Sequence, residues 1–175
     1  KKLLKAKKHL EKLFQIEINE FVPPSNTLSI KSYNELNKLN FNLLNLPWSK
    51  KWFNRPIFSF KHTITFFKRF LFLRKYWFDY PYPIFFDNHW ELWSQVLTPH
   101  TDLEILKKSF LYSYDNKLPF CLATHYWEHK SYISYKDKIR QIDKLKEFLK
   151  FVSKYEVQPM LASDFTQYAK KNYNS

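Results

Sequence analysis

The chain of 175 residues contains no glycine at all. An average protein has about 7% glycine, which corresponds to roughly a dozen residues in a chain of this length. Glycine is the residue that most readily adopts a positive φ angle, so other residues must serve wherever the backbone needs that conformation. The sequence therefore predicts asparagine, aspartate or strained residues at its tight turns.

Cysteines, acidic residues and long apolar runs are also scarce. The single cysteine excludes an internal disulfide and a zinc site built from several cysteines. No apolar run approaches the ~18 residues that indicate a transmembrane helix, so we expect none. The 16 acidic residues are outnumbered by 29 lysines and arginines, which gives a net charge of +13. This excess predicts an anionic partner, whether a nucleic acid, an acidic glycan or a membrane surface.

Hydrophobic residues make up 45% of the chain and aromatic residues 21%, which is ample for a buried core. We predict a single domain over residues 1–175. The chain begins with two lysines inside a helical pattern, and not with methionine. Together with the missing glycine, this leads us to expect a piece of a longer protein, such as a reading frame interrupted at a glycine codon.

The first quarter of the chain alternates between helical and strand patterns. A strand must end at Pro23-Pro24, because proline donates no hydrogen bond to a neighbouring strand. Alternation of this kind predicts a parallel sheet built from βα units. The predicted elements are a helix over Lys1–Gln15, a strand over Ile16–Phe21, a helix over Ile30–Leu39 and a strand over Phe41–Leu46.

Residues 48–82 interrupt this alternation with a basic and aromatic segment. Between Ile57 and Phe78 there is no acidic residue. We predict a helix with a broad core face and cations whose aliphatic stems lie along it. The alternative is a surface for an anionic membrane, an acidic partner or single-stranded nucleic acid. The first apolar stripe is Phe60, Ile64, Phe67 and Leu71, and the second, adjacent stripe is Phe66, Phe70, Leu73 and Trp77. The cations are Lys61, Lys68, Arg69, Arg74 and Lys75.

Two later strands are predicted to end in similar polar and aromatic clusters. The strand within Pro81–Asn88 is followed by His89, Trp90 and Glu91, and the strand over Phe120–Thr124 by His125, Trp127 and Glu128. Ligands of α/β proteins bind beyond the carboxyl ends of strands, so we expect both clusters at one rim. The alternative for His125 is a half-buried histidine that makes one hydrogen bond among aromatic rings.

The remaining pattern predicts three helices and one strand. The helices span Asp102–Asn116, Asp137–Tyr155 and Asp164–Asn172. Thr101 or Asp102 is predicted to cap the first of these helices, and Ser163 the last. The strand covers Val157–Leu161 and lies between the last two helices.

His125, Glu128 and His129 match the short H-x-x-E-H pattern of one class of zinc protease. That pattern needs both histidines on one helical face, whereas the residues before His125 predict a strand. The serines lie in no nucleophile-elbow context, so no Ser-His-Asp triad is predicted.

Three stretches together resemble the polysaccharide deacetylase (NodB homology) family. Phe21-Val22-Pro23-Pro24-Ser25-Asn26, followed by the strand at Phe41, resembles the third motif of the family. Leu122-Ala123-Thr124-His125 resembles its last motif, and the tail with Val157–Leu161 resembles its closing βα unit. The family has an incomplete (β/α) barrel and removes acetyl groups from sugars. The resemblance implies an α/β fold in which this chain forms the C-terminal half to two-thirds of the barrel, with an insertion at 48–82.

The resemblance also implies roles for individual residues. His125 would be the general acid that protonates the departing amine or alkoxide, a role that suits imidazole near neutral pH. Pro23 and Pro24 would wall the groove. The sugar would be supported by Trp127 and, by their predicted strand-end positions, by His89, Trp90 and Glu128. Two positions depart from the family pattern, because Val22 replaces its arginine and Ser25 its glycine.

The implied cofactor is a divalent metal such as zinc, and the implied partner is an acetylated glycan. The aspartate and histidine motifs that hold this metal would precede Lys1, so we expect no metal ligand within these residues and no activity from this chain alone. The resemblance is compatible with a cell-envelope or extracytoplasmic location, and the sequence by itself indicates no location. Two other functions stay open: a catalytically dead relic that binds carbohydrate, and a basic peripheral protein that uses 57–78. No specific nucleic-acid partner is expected.

Overall fold

The computed structural model describes residues 2–24, 28–44, 60–86, 88–131 and 139–173, and its fold is mixed α/β. The chain forms two compact units. The first comprises Lys1–Pro56, Pro83–Trp93 and Met160–Ser175, and the second Ile57–Tyr82 and Ser94–Pro159. The prediction of one domain over 1–175 stays a prediction.

The helices are α1 (Lys2–Phe14), α2 (Ile30–Lys38), α3 (Phe60–Tyr76), α4 (Leu103–Asp115), α5 (Gln141–Val152) and α6 (Ala162–Tyr173). The strands are β1 (Glu20–Phe21), β2 (Asn42–Leu44), β3 (Ile84–Phe86), β4 (His89–Leu92), β5 (Gln95–Leu97) and β6 (Leu122–Thr124). A 3₁₀ turn covers Tyr126–Glu128.

The first unit contains a four-stranded sheet in the order β1-β2-β4-β3. Strands β1, β2 and β4 are parallel, which confirms the parallel sheet predicted from the alternating pattern. The helix that connects β1 to β2 begins at Ser29, whose hydroxyl oxygen accepts a hydrogen bond from the Ser32 amide at 3.1 Å. The core of this unit consists of Tyr33, Leu36, Phe41, Leu43 and Trp93.

His89 does not leave the sheet as the sequence predicted. It is the first residue of β4, which turns back and pairs antiparallel with β3. Because Leu43 of β2 is aligned with Glu91, His89 lies at the amino end of the parallel strands, opposite the predicted rim. The prediction was wrong because the hairpin turn before His89 contains no glycine, so its usual sequence signal is missing.

The second unit contains the parallel pair β5 and β6, in which Leu97 is aligned with Thr124. The strand at β6 was predicted, but β5 was not. The Asp102 carboxylate accepts hydrogen bonds from the amides of Glu104 and Ile105 and so caps α4, as predicted. The core of this unit consists of Leu97, Leu106, Phe110 and Phe148.

Two features of the tail differ from the prediction. Residues 156–161 form no strand, and Val157, Met160 and Leu161 are exposed. The last helix begins at Ala162, so Ser163 lies inside the helix and not at its cap. A short apolar run becomes a strand only when a neighbouring strand supplies hydrogen bonds, and no strand of the described residues pairs with the run at Val157–Leu161.

The two stripes of α3 that we expected in the core largely face solvent instead, since Phe70 and Trp77 of the second stripe are exposed as well. Ile64, Phe67 and Leu71 are exposed, whereas Arg69 is buried. The side chains of Phe60 and Phe66, which belong to the predicted stripes, lie outside the described residues. Helical periodicity locates the apolar stripes of a helix but does not decide which side of the helix packs inward.

Four helices are followed by a residue with positive φ, and none of these residues is glycine. They are Gln15 (52°), Asn40 (54°), Trp77 (65°) and Lys117 (53°). After α4, the Lys117 amide donates to the Tyr114 carbonyl and the Leu118 amide donates to the Ser113 carbonyl, which is a Schellman motif. Asn40 closes α2 with the same pair of bonds. The prediction that non-glycine residues occupy these turns is confirmed.

Replacing Lys117 with glycine should stabilise the protein. A non-glycine residue in the left-handed region costs about 1–2 kcal/mol, and glycine avoids this cost while adding entropy to the unfolded chain. We expect Lys117→Gly to raise the free energy of unfolding by roughly 0.5–1 kcal/mol in urea titrations.

The matched control is Lys108→Gly, an exposed lysine inside the same helix. Glycine within a helix costs about 1 kcal/mol, so this variant should be destabilised. Equal changes of the same sign in both variants would contradict the assignment of strain to Lys117.

Candidate functional site

The candidate site lies at the carboxyl ends of β5 and β6, in the second unit. His125 follows Thr124 directly and keeps an extended backbone, with φ of −116° and ψ of 124°. Because Thr124 is aligned with Leu97, the last residue of β5, His125 stands just beyond the ends of both parallel strands. This confirms that His125 follows a strand, at the kind of sheet edge where ligands of α/β proteins bind.

An aromatic corner accompanies His125. The 3₁₀ turn brings Trp127 back over the histidine, and the two rings stack with centroids 4.4 Å apart and planes 15° apart. Tyr126 meets the same indole edge-on at 5.1 Å. Trp127 is 64% exposed, so much of its indole is open to solvent. His125 therefore has a fixed ring orientation beside an accessible aromatic surface.

Gln141, the first residue of α5, makes hydrogen bonds to both strands of this site and to the 3₁₀ turn. The two hydrogens of its buried Nε2 are shared among three acceptors: the Leu97 carbonyl, the Thr124 hydroxyl oxygen at 3.2 Å and the Glu128 carboxylate at 3.4 Å. One side chain thus joins the ends of β5 and β6 to the 3₁₀ turn. Sequence reasoning missed Gln141, because a glutamine in the first turn of a helix carries no local signal of such contacts.

A second buried side chain of α5 holds the loop that follows β5. The Lys144 ammonium donates to the Pro99 carbonyl at 3.0 Å and to the Thr101 carbonyl. Thr101 in turn accepts a hydrogen bond from the Thr98 amide at 2.9 Å. The loops after both strands are therefore tied to α5, which restricts the movement of the sheet edge that carries His125.

Two polar atoms near this edge are buried without a hydrogen-bond partner among the described residues: Oε1 of Gln141 and Nε2 of His129. The two residues lie on adjoining backbone segments, since the Ile142 amide donates to the His129 carbonyl at 3.1 Å. Buried polar atoms usually have a partner in the protein, in water or in a ligand. Within the described residues, these two buried atoms of the site have no hydrogen-bond partner.

The other predicted site residues belong to the first unit. Pro23 and Pro24 follow β1, as predicted, and Pro23 is buried while Pro24 is exposed. His89 and Trp90 are each 1% exposed, so neither offers a surface to a sugar. The assigned roles of these four residues stay predictions.

His89 forms part of a buried polar group in the first unit. Its ring nitrogens lie 3.3 Å from the Glu91 carboxylate and 3.3 Å from the Asn37 side-chain oxygen. The Tyr33 ring packs edge-on against the imidazole, with centroids 5.2 Å apart. These contacts provide buried polar atoms with partners, which is the usual role of such groups in a core.

No group of three or more histidine, cysteine, aspartate or glutamate side chains that could hold a metal ion occurs in the described parts of the chain. His125 is extended and His129 follows a 3₁₀ turn, so these two residues do not share an α-helical face. The described residues therefore do not fit a metal centre, and we assign no chemical step to a metal.

Comparisons with known proteins add no relative. No protein-family model matches the chain, and no curated protein or solved structure is significantly similar to it. The resemblance to the polysaccharide deacetylase family therefore stays a prediction.

The contacts of Gln141 can be tested through Cys121, the residue before β6. Burial raises the pKa of the Cys121 thiol, so less of the reactive thiolate is present at pH 8 than in the unfolded chain. We expect slow labelling by iodoacetamide, faster labelling as the pH rises, and rapid labelling in concentrated urea. Gln141→Ala should speed labelling and lower the free energy of unfolding by about 1–3 kcal/mol.

The control for this prediction is Lys146→Ala, which removes an exposed side chain of the same helix. It should leave the labelling rate unchanged. Its free energy of unfolding should stay within about 0.5 kcal/mol of that of the original protein. If Gln141→Ala behaved like this control, the buried amide would not hold the strand ends together.

Proposed function

We propose that the chain is the C-terminal part of a metal-dependent carbohydrate deacetylase-like hydrolase, in which His125 is the general acid. One observation carries this proposal: His125 stands at the carboxyl ends of two parallel strands with its ring stacked on the exposed Trp127. In this proposal the α/β elements belong to an incomplete (β/α) barrel with an insertion at 48–82.

The reaction requires a proton donor. Removal of an acetyl group from an N-acetylated sugar breaks a C–N bond, and removal from an O-acetylated sugar breaks an ester C–O bond. The departing amine or alkoxide is a strong base and leaves readily only when it is protonated. Imidazole suits this task because histidine exchanges a proton near neutral pH. The stacked Trp127 restricts the ring of His125 and so limits the directions in which its N–H can point.

The substrate class in this proposal is an acetylated glycan. The C–H face of a pyranose ring is apolar and packs well against an aromatic ring, whereas its hydroxyl groups need polar partners. Trp127 supplies an exposed indole, and Tyr126 extends the aromatic corner at right angles to it. Glu128 adds a carboxylate that already lies within reach of Gln141 and accepts hydrogen bonds. His89 and Trp90 are not used in this proposal because both are buried.

When bound, the divalent metal of such hydrolases activates the attacking water. In our proposal its ligands lie outside these 175 residues, so the chain by itself releases no acetate. The proton transfer by His125 and the sugar contact by Trp127 are the two functions assigned to the described residues.

A second candidate is a carbohydrate-binding relic of the same fold. The aromatic corner favours it, because Trp127 and Tyr126 are exposed and require only binding, not chemistry. Such a protein would bind acetylated glycans and would not hydrolyse them even in its full-length form.

His125→Gln should impair turnover in the full-length, zinc-loaded protein. Loss of a general acid typically lowers kcat by about 10²- to 10⁴-fold, and glutamine cannot donate a proton of comparable acidity. The measurement is acetate release from N-acetylglucosamine oligosaccharides and O-acetylated xylan, with zinc content determined by mass spectrometry. Zinc content should not change.

His100→Gln is the matched control, since His100 is an exposed histidine after β5. This variant should keep full activity. Unchanged kcat in His125→Gln would reject the general-acid role. Glycan binding by a full-length protein that releases no acetate would support the relic.

Trp127→Ala should weaken glycan binding without affecting folding. An aromatic contact of this kind is worth about 1 kcal/mol, so the Kd for N-acetylglucosamine oligosaccharides should rise roughly fivefold in calorimetric titrations. The control is Trp77→Ala, which removes a comparably exposed indole just after α3. Equal losses in both variants would show that the sugar does not bind specifically at Trp127.

A further inference from the structure

Helix α3 carries an apolar strip on its exposed side. Ile64, Phe67 and Leu71 are 40%, 57% and 60% exposed. Their spacing of three and four residues places them on one side of the helix. A strip of adjacent large apolar side chains on a surface marks a place where another molecule binds.

Cations border this strip on both sides. Successive residues of a helix are rotated by about 100°, so Arg74 lies along one edge of the strip and Lys68 and Lys75 lie along the other. All three side chains are exposed. We call the strip and these cations, which together are Ile64, Phe67, Lys68, Leu71, Arg74 and Lys75, the α3 face.

No acidic side chain offsets these charges within the segment. Residues 57–78 contain neither aspartate nor glutamate. The next acidic residue along the chain is Asp79. Burial raises the pKa of its carboxyl group, and the positive charge of Arg69 opposes that shift. Arg69 itself is 1% exposed and is not part of the α3 face. Its interaction with Asp79 therefore leaves the positive charges of the exposed Lys68, Arg74 and Lys75 unaffected.

Aromatic packing within the second unit fixes which side of α3 points outward. Phe72, on the inner side, contacts Tyr76, Phe78, Tyr80 and Tyr112 with ring centroids 4.6 to 5.5 Å apart. The Tyr82 and Tyr112 hydroxyls are hydrogen-bonded at 2.8 Å. Since this cluster holds α3 against α4, the helix cannot turn its apolar strip inward without breaking the cluster.

We propose that the α3 face binds an anionic membrane surface. An apolar strip bordered by lysine and arginine is the pattern of helices that lie in the plane of the interface, with their apolar side chains among the acyl chains and their cations at the headgroups. The helix of 17 residues is about 25 Å long. None of the described helices is both long and apolar enough to cross a bilayer.

The chemistry of the strip favours lipid over nucleic acid. Single-stranded nucleic acids bind where aromatic rings stack on bases between cations. The strip contains the aliphatic residues Ile64 and Leu71, which cannot stack in this way. Trp77 at the end of the helix is 76% exposed, and tryptophan is enriched at the headgroup level of membranes.

The test measures sedimentation of the chain with phosphatidylcholine vesicles that contain phosphatidylserine, and with phosphatidylcholine vesicles alone. We expect binding to the anionic vesicles that weakens as salt is added. Phe67→Ser with Leu71→Ser should reduce the partition coefficient roughly tenfold or more, because it removes apolar contact without changing the charge. Arg74→Glu with Lys75→Glu should have a similar effect.

The control is Lys5→Glu with Lys8→Glu, which makes the same change in net charge on exposed positions of α1. This variant should keep most of the binding, and all variants should show the original circular dichroism spectrum, because the replaced side chains are exposed. Equal binding to neutral vesicles, an equal loss in the control, or displacement of the vesicles by single-stranded DNA would overturn the proposal. These outcomes do not depend on acetate release or on glycan binding.

Discussion

Because the chain has no glycine, four of its helices end at a non-glycine residue that adopts a positive φ angle. Each left-handed residue costs about 1–2 kcal/mol, and it persists only when the surrounding structure compensates. At two of the four turns the next residue is a buried phenylalanine, namely Phe41 after Asn40 and Phe78 after Trp77. Burial of a phenylalanine side chain contributes about 1.5–3 kcal/mol, which is enough to offset the strain. The turn at Asn40 then leads directly into β2, so the position of the parallel sheet follows from this backbone geometry.

Polar side chains, more than apolar packing, shape the edge of the second unit where His125 lies. Strands β5 and β6 have three residues each, so their pairing contributes few hydrogen bonds. Gln141 and Lys144 supply the additional ones, from α5 to the strand ends and to the loop after β5. Because α5 is itself anchored by the buried Phe148, these hydrogen bonds connect the site to the hydrophobic core. The orientation of His125 is therefore a property of the whole unit.

Sequence reasoning succeeded where a local signal was sufficient. Alternating helical and strand patterns predicted the parallel strands β1 and β2, and the Asp102 carboxylate marked the start of α4. It failed where the decisive interaction was distant in sequence. The hairpin before His89 lacks glycine, and β5 is too short for a periodic pattern. In the part of the chain that the structure describes, no strand pairs with Val157–Leu161. For the site, His125 was identified from the strand before it, whereas Gln141 acts through contacts that only the tertiary structure reveals.

The orientation of α3 is fixed by its aromatic contacts, although it buries the charged side chain of Arg69. Burying the charge of Arg69 is unfavourable unless a partner compensates, and Asp79 lies close enough for their charges to interact. The aromatic cluster around Phe72 adds dispersion contacts and the hydrogen bond between Tyr82 and Tyr112. This aromatic cluster favours the inner side of α3 and leaves Ile64, Phe67 and Leu71 in contact with water. Full burial of each such side chain would contribute about 1.5–3 kcal/mol. In our proposal, binding to a membrane surface would let the exposed strip recover this energy while the aromatic cluster around Phe72 stays intact.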